Sequence, residues 1–304
     1  MTRPHFTAAL LVLALAGCSR KPKPPPAPPP PPLTRLLVGG DVMLSRYVGR
    51  LARRSGDAAL PFRAIASTLS AADIAFVNLE SPFSDRGRPA DKGMLFKAEP
   101  AMVQGLVLAG IDVVSTANNH ARDQGAYGLE YTLRWLDRHG IRAVGTGADA
   151  VLERNGLRFG FLAYTYDQAN GNYPDQDRRV AMLDVPVMRA DVKRMCERAG
   201  VVIVSMHAGR EYSPRPDSQQ VEFARAAIDA GASVVAGHHP HVAQPAERYR
   251  DGVIFYSLGN LVFDQFQSPE TQQGLLGEVA FRGRRIESYR TVPIRLKNTA
   301  PHLR

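Results

Sequence analysis

The sequence predicts an α/β fold, a parallel sheet flanked by helices and completed by an antiparallel portion near the C-terminus. Two observations predict it. From Arg35 to His241, short apolar runs of strand length alternate with amphipathic helical runs, the signature of βαβ units. Beyond His241 the helical runs stop and hairpin-spaced strands take over. A third observation locates function: the parallel strands end in polar, metal-capable side chains, where open α/β sheets bind ligands.

In chain order, residues 35–38 read as a buried strand ending at Gly39-Gly40-Asp41. Residues 60–69 read as a helix and 74–77 as a strand; 102–108 as a helix and 111–115 as a strand. The helix at 129–137 stops near Gly140, which suits a left-handed C-terminal cap, and residues 141–144 extend. Asn155-Gly156, between the apolar residues 151–152 and 157–163, signals a hairpin turn. The rhythm then repeats as helix 187–199, strand 201–205, helix 221–230 and strand 233–236. The closing hairpin strands are 246–249, 253–257, 275–281 and 286–294. No fixed-period repeat is present, and residues 166–179, rich in Asn, Gly, Pro and Asp, read as a mobile insertion.

The N-terminus sets the expected compartment. Thr2-Arg3-Pro4-His5 forms a weakly basic start, and the apolar stretch 6–16 is too short for a stable membrane span. It ends in Leu15-Ala16-Gly17-Cys18, which resembles the lipobox of bacterial lipoproteins, with Cys18 as the lipid-modified mature N-terminus. An ordinary secretory signal that contains a cysteine is the alternative. Residues 22–32 are proline except for Lys23 and Ala27. Such a run is extended polyproline II and spaces the domain about 30 Å from its anchor; the competing reading is a proline-rich ligand. The expected organisation is a signal peptide at 1–17, lipidated Cys18 and tether to 32, and one domain over 33–300, lipid-anchored in the bacterial envelope. That domain holds a single cysteine, Cys196, which excludes an internal disulfide and is expected in the core. The formal charge of +9 becomes +8 once Arg3 leaves with the signal. A basic surface favours anionic partners such as phosphate groups, acidic polymers or anionic lipid, although an arginine-rich composition alone would produce it. No nucleic-acid partner is expected.

Five strands end in candidate ligands: Asp41; Asn78 and Glu80; Asn118-Asn119-His120; His207; and His238-His239-Pro240-His241. Each has a structural explanation on its own, as a turn residue, a helix cap or a hydrogen-bonded histidine. Together they place oxygen and nitrogen donors on one rim from segments two hundred residues apart. Carboxylate, carboxamide and imidazole without thiolate suit one or two divalent ions such as Mn, Zn, Fe or Mg. Two such ions lower the pKa of water and clamp both ends of an in-line displacement.

Six ordered motifs then carry a family resemblance: Gly40-Asp41-Val42-Met43, Asn78-Leu79-Glu80, Ala117-Asn118-Asn119-His120, His207-Ala208-Gly209-Arg210-Glu211-Tyr212, Gly237-His238-His239-Pro240-His241 and Ser257-Leu258-Gly259-Asn260. They resemble the CapA family of poly-γ-glutamate capsule biosynthesis, which is similar to the calcineurin-like metallophosphoesterases. The resemblance implies a four-layer α/β/β/α sandwich with a metal site at the strand ends. It implies Asp41, Glu80, Asn119, His207, His239 and His241 as metal ligands, with Glu80 bridging. His120 would stabilise the leaving group, oriented by Asp123. Asn78, Asn118, Glu211, Tyr212, His238 and Asn260 are the expected substrate contacts. Four positions depart from the pattern. Met43 stands where the superfamily has a first-strand histidine, Glu80 replaces an aspartate, and Ala208 replaces a large residue. The last motif has three histidines, so that His238 is an alternative ligand to His239.

The resemblance implies an envelope-tethered, metal-dependent hydrolase acting on an anionic polymer such as poly-γ-glutamate, cleaving a phosphoester or an amide, alongside capsule synthesis or export proteins. A non-catalytic accessory protein that binds the polymer is the rival, and a nucleotide or lipid-phosphate phosphatase is a third reading.

Overall fold

The computed structural model describes Met1 and residues 30–86, 93–166 and 179–304. The chain divides into two units, Met1–Pro30 and Pro31–Arg304. Cys18, the leader, most of the proline tether and residues 167–178 of the expected insertion lie outside the described residues. No helix among the described residues is long and apolar enough to cross a membrane.

Two sheets stack face to face. The first has strands β1 (Leu33–Val42), β2 (Ile74–Leu79), β3 (Val113–Ser115), β4 (Arg142–Val144), β11 (Asn260–Val262), β12 (Gln273–Arg282), β13 (Arg285–Lys297) and β14 (Ala300–Leu303). Its order is β14-β13-β12-β1-β2-β3-β4, with β11 also paired to β1. The second contains β5 (Ala150–Arg154), β6 (Leu157–Thr165), β7 (Val201–His207), β8 (Val234–His238), β9 (Ala246–Tyr249) and β10 (Gly252–Phe255), ordered β5-β6-β7-β8-β10-β9. In the first sheet β1 to β4 pair in parallel and β12 to β14 add to β1 antiparallel; in the second, β6, β7, β8 and β10 are parallel and the edge strands β5 and β9 antiparallel.

The period-two alternation of strand side chains makes the layers. Leu36, Val38, Ile74 and Phe76 of the first sheet meet Phe159, Phe161, Val201 and Ile203 of the second in a shared core. Phe76 stacks on Phe161 across it, with ring centroids 5.9 Å apart. The intervening residues face outward. Leu37, Ala75 and Val77 pack under α1 (Arg46–Ser55), α2 (Ala66–Ser70), α3 (Val103–Leu108) and Leu136 of α4 (Gly125–Arg138). Val202, Val204 and Met206 pack under α5 (Val185–Arg198) and α6 (Ser218–Ala230). The result is the four-layer α/β/β/α sandwich.

Local chemistry explains most boundaries. Asn155 and Gly156 both take left-handed backbone, φ 53° and 73°, and turn β5 into β6. Gly140, φ 75°, terminates α4, and Asp217 with Gln220 forms a capping box on α6.

Several expectations are corrected. Residues 60–69 are not one helix but a 3-10 turn, Leu60–Phe62, followed by α2. The Asp57 carboxylate accepts from the Ala59 N–H at 3.0 Å and from Arg63 Nε at 2.6 Å, which holds the tighter turn. Cys196 is exposed rather than in the core, because Met188, Val192 and Met195 fill the buried face of α5. The arginine-rich α1 was not expected, and strand pairing continues beyond residue 300 in β14.

Candidate metal centre and pocket

The expected ligands meet at one place, the seam between the sheets at the C-terminal ends of the parallel strands. Register sets them side by side: Asp41 pairs with Asn78 across β1 and β2, and His207 with His238 across β7 and β8. Gly40 permits the geometry. A Cβ there would lie 1.9 Å from the Gly259 carbonyl oxygen, so the backbone before β11 reaches the Asp41 N–H, which donates to Gly259 O at 2.9 Å.

Two groups of donors result. Asp41, Glu80 and His207 bring ligand atoms within 4.8 Å of one another, and so do Glu211, His239 and His241. Glu80 lies between the groups: its Oε1 is 3.7 Å from His241 Nε2 and 4.0 Å from His120 Nε2. Asp41 also joins them, with Oδ2 3.3 Å from His241 Nδ1. Asn119, half-buried, places Oδ1 3.1 Å from His207 Nε2.

These residues fit a divalent ion. The donor set is hard or borderline, and three of its members are held in the protonation state that a ligand needs. Burial, followed by the neighbouring His239, pushes His207 well below the ordinary imidazole value. Burial and His241 bring His239 down to about 3. Burial alone would raise the Asp41 carboxyl, but His238 and His241 hold it well below the usual range. His238 is fully buried with Nδ1 3.5 Å from Asp41 Oδ1, yet neither of its ring nitrogens has a hydrogen-bond partner among the described residues, nor does His239 Nδ1. Polar atoms so placed are costly unless something binds them. Met43, at the absent first-strand histidine's position, packs into the outer core and accepts the Ser45 N–H at 3.2 Å.

The outer wall is a cavity of about 390 Å³ lined in part by Arg46, Asn119, His120, Glu211, Tyr212 and His241. His120 stacks on Phe96, ring centroids 3.8 Å apart, and its Nδ1 is 2.6 Å from Asp123 Oδ2. Asp123 in turn accepts the Phe96 N–H at 2.5 Å, so the imidazole is fixed in plane and direction. A larger cleft of about 650 Å³ beside Tyr164 and Arg198 contains neither donor group; chemistry rather than volume marks the site.

Of the expected substrate contacts, Glu211 and Tyr212 are exposed at the cavity, and Glu211 also joins a donor group. Burial and Glu211 raise the Tyr212 phenol to about 12. Asn78, Asn118, His238 and Asn260 are fully buried behind them. Asn78 Nδ2 donates to Asp41 Oδ1 at 2.8 Å and lies 3.3 Å from His207 Nδ1. Asn118 donates to Asn78 Oδ1 at 3.1 Å and accepts the His120 N–H at 3.0 Å. Asn260 Oδ1 is 3.1 Å from His241 Nδ1. These amides orient ligands.

Backbone strain points to the same place. Of the eight non-glycine residues with positive φ among the described residues, Arg46, Tyr212 and His241 line the cavity and His239 belongs to a donor group beside it, while Asn155, Arg250, Asn298 and Thr299 sit in hairpin turns. Each such conformation costs about 1–3 kcal/mol and persists where the surroundings enforce it. Arg46, Phe96 and Asp264 were not anticipated from sequence; Arg46 and Asp264 meet across 218 positions, a contact no local pattern reveals.

Comparison with known proteins agrees with this architecture. Residues 35–265 match the family described as bacterial capsule synthesis protein PGA_cap. The chain is 33% identical over 238 residues to the PGA biosynthesis protein CapA of Bacillus subtilis, covering 74% of this chain and 62% of that protein. It is 30% identical over 285 residues to the capsule biosynthesis protein CapA of Bacillus anthracis, covering 88% of this chain and 69% of that one. The chain thus spans less than two thirds of the length of the Bacillus subtilis relative. Among solved structures, the NAD nucleotidase of Haemophilus influenzae shares the fold, with a TM-score of 0.53 at 11% identity over 86% of this chain and 50% of that one.

Proposed function

The chain belongs to the bacterial capsule synthesis protein family PGA_cap, and on that footing we propose that it is an envelope-anchored, metal-dependent hydrolase acting on an anionic polymer of the poly-γ-glutamate class. The observation that carries the reading is the pairing of two candidate ligand groups with a buried His120–Asp123 couple at one cavity. A structural ion alone would need no oriented imidazole beside it. Asp41, Glu80, Asn119 and His207 would hold one ion, and His239, His241 and Glu211 a second. When bound, such ions supply Lewis acidity and charge stabilisation.

The chain's own residues do the rest. With Nδ1 held by Asp123, His120 in its imidazolium form would give the Nε2 proton to the departing oxygen or nitrogen and finish as the neutral ring. Asn78, Asn118 and Asn260 keep the ligands in register. Tyr212 and Glu211 are exposed at the cavity wall, where they would meet the substrate. Lipidation at Cys18 would retain the enzyme in the envelope, near capsule synthesis or export proteins.

A second reading, a non-catalytic accessory protein that binds the polymer, is favoured by one observation: Met43 stands in the core where the wider superfamily has a ligand. Elemental analysis of the purified protein, with a hydrolysis screen over phosphoesters and γ-glutamyl peptides, separates the two. We expect bound divalent metal, lost in Asp41→Ala, Asn119→Ala and His207→Ala, and turnover that tracks it. Metal content unchanged in all three variants would end the metal reading; metal without turnover, in a protein that still binds polymer, would favour the accessory one.

A further inference from the structure

The cavity contains a fixed cation outside both donor groups. Arg46 begins α1 in left-handed backbone, φ 51°. Its Nη2 lies 2.7 Å from Asp264 Oδ1, and its Nε donates to Asp264 Oδ2 at 3.2 Å. The Tyr47 N–H donates to that same oxygen at 3.0 Å, and Asp264 is buried. The guanidinium carbon is 5.5 Å from the centroid of Phe96, the ring on which His120 stacks. Nη1 reaches Met94 Sδ at 3.4 Å, a weak acceptor. One edge of the planar fork is therefore committed to Asp264, and the side chain stays 34% exposed at the cavity. Among the described residues lining that cavity, Arg46 is the only lysine or arginine.

We propose that Arg46 is the specificity residue of this pocket, recognising an oxyanion on the substrate beside the bond that His120 serves. The proposal rests on the pocket being the reaction site, as argued above. A guanidinium fork matches the paired oxygens of a carboxylate or the non-bridging oxygens of a phosphoester, and Asp264 pre-sets its plane. Backbone strain fits this role: a left-handed residue persists where its surroundings enforce it, and here Asp264 and Phe96 hold the side chain. A γ-glutamyl carboxylate and a phosphoester present the same chemistry to Arg46, so both are probed.

The test uses the purified full chain, Arg46→Met and Arg46→Lys, with two probes: a γ-glutamyl oligomer compared with its uncharged methyl ester, and p-nitrophenyl phosphate compared with its uncharged triester analogue. Binding and, where it occurs, kcat and KM are measured beside metal content and Tm. For whichever oxyanion the parent prefers, Arg46→Met is expected to lose about ten- to a hundredfold of that preference, chiefly in KM, with metal content retained. Arg46→Lys, which keeps charge without the fork, should recover part of it. Loss confined to the phosphate probe supports Arg46 while removing the polymer reading. An Arg46→Met protein that discriminates like the parent, whatever its Tm, overturns the proposal and leaves the proposed function standing. A parent that favours neither oxyanion overturns both.

Discussion

Replacing Gly40 with alanine tests how tightly the site is built into the backbone. The new Cβ would start 1.9 Å from the Gly259 oxygen and 2.9 Å from its carbon. Reaching an ordinary carbon–oxygen contact of about 3.3 Å requires the two backbones to part by about 1.4 Å. The obstacle is backbone, so no rotamer change relieves it. Overpacking of this kind costs about 1–3 kcal/mol, and the bond from the Asp41 N–H to Gly259 O, now 2.9 Å, is lost for roughly 1 more. A total of about 2–4 kcal/mol should lower Tm by roughly 5–15 °C. Function should suffer further, because Asn260, next to Gly259, holds His241. Thermal unfolding and elemental analysis on the same preparation give both readouts. A Gly40→Ala protein with the parent's Tm and metal content would refute the claim that this approach sets the ligand geometry.

Two other perturbations isolate single terms. His120→Asn should keep metal content and most of the stability while turnover falls by about 10²–10⁴; lost metal would make His120 a ligand, and unchanged turnover would remove it from the chemistry. Glu278 on β12 lies opposite Arg290 on β13 and bonds Arg290 and Arg35. Burial alone would raise its carboxyl, but Arg290 and then Arg35 hold it below the ordinary glutamate value. The unfolded chain therefore takes up protons first, so the stability Glu278 contributes is full above that value and disappears as pH falls through the folded pKa. With both arginines largely exposed, about 0.5–1 kcal/mol is expected. Urea unfolding should show Glu278→Gln weaker than the parent at pH 7 and equal to it near pH 3; a gap that persists in acid would contradict this.

The sheet was legible because its strands are buried on both faces and read as unbroken apolar runs, as in Val201–His207. The rim was legible because each such run ends in a donor. What escaped depends on contacts distant in sequence or on weak local signals. In α1, four arginines dilute an apolar face of which only Val48, Gly49 and Ala52 are buried. β11 is three residues long and owes its place to pairing with β1. Cys196 was read as core because it lies inside a helical pattern; the true inward stripe is one position away, at Met195. The sequence brought the candidate residues to one rim but did not show their layering: Asn78, Asn118 and Asn260 stand behind the histidines, and Glu211 joins them in front.

β1 links two poles of the domain. The described chain enters at Leu33 and reaches Asp41 eight residues later, a path of roughly 25 Å along a strand paired on both sides. The candidate ligands therefore lie at the opposite end of β1 from Leu33. A label introduced at Leu33 would sit at that other end, roughly 25 Å from the candidate ligands.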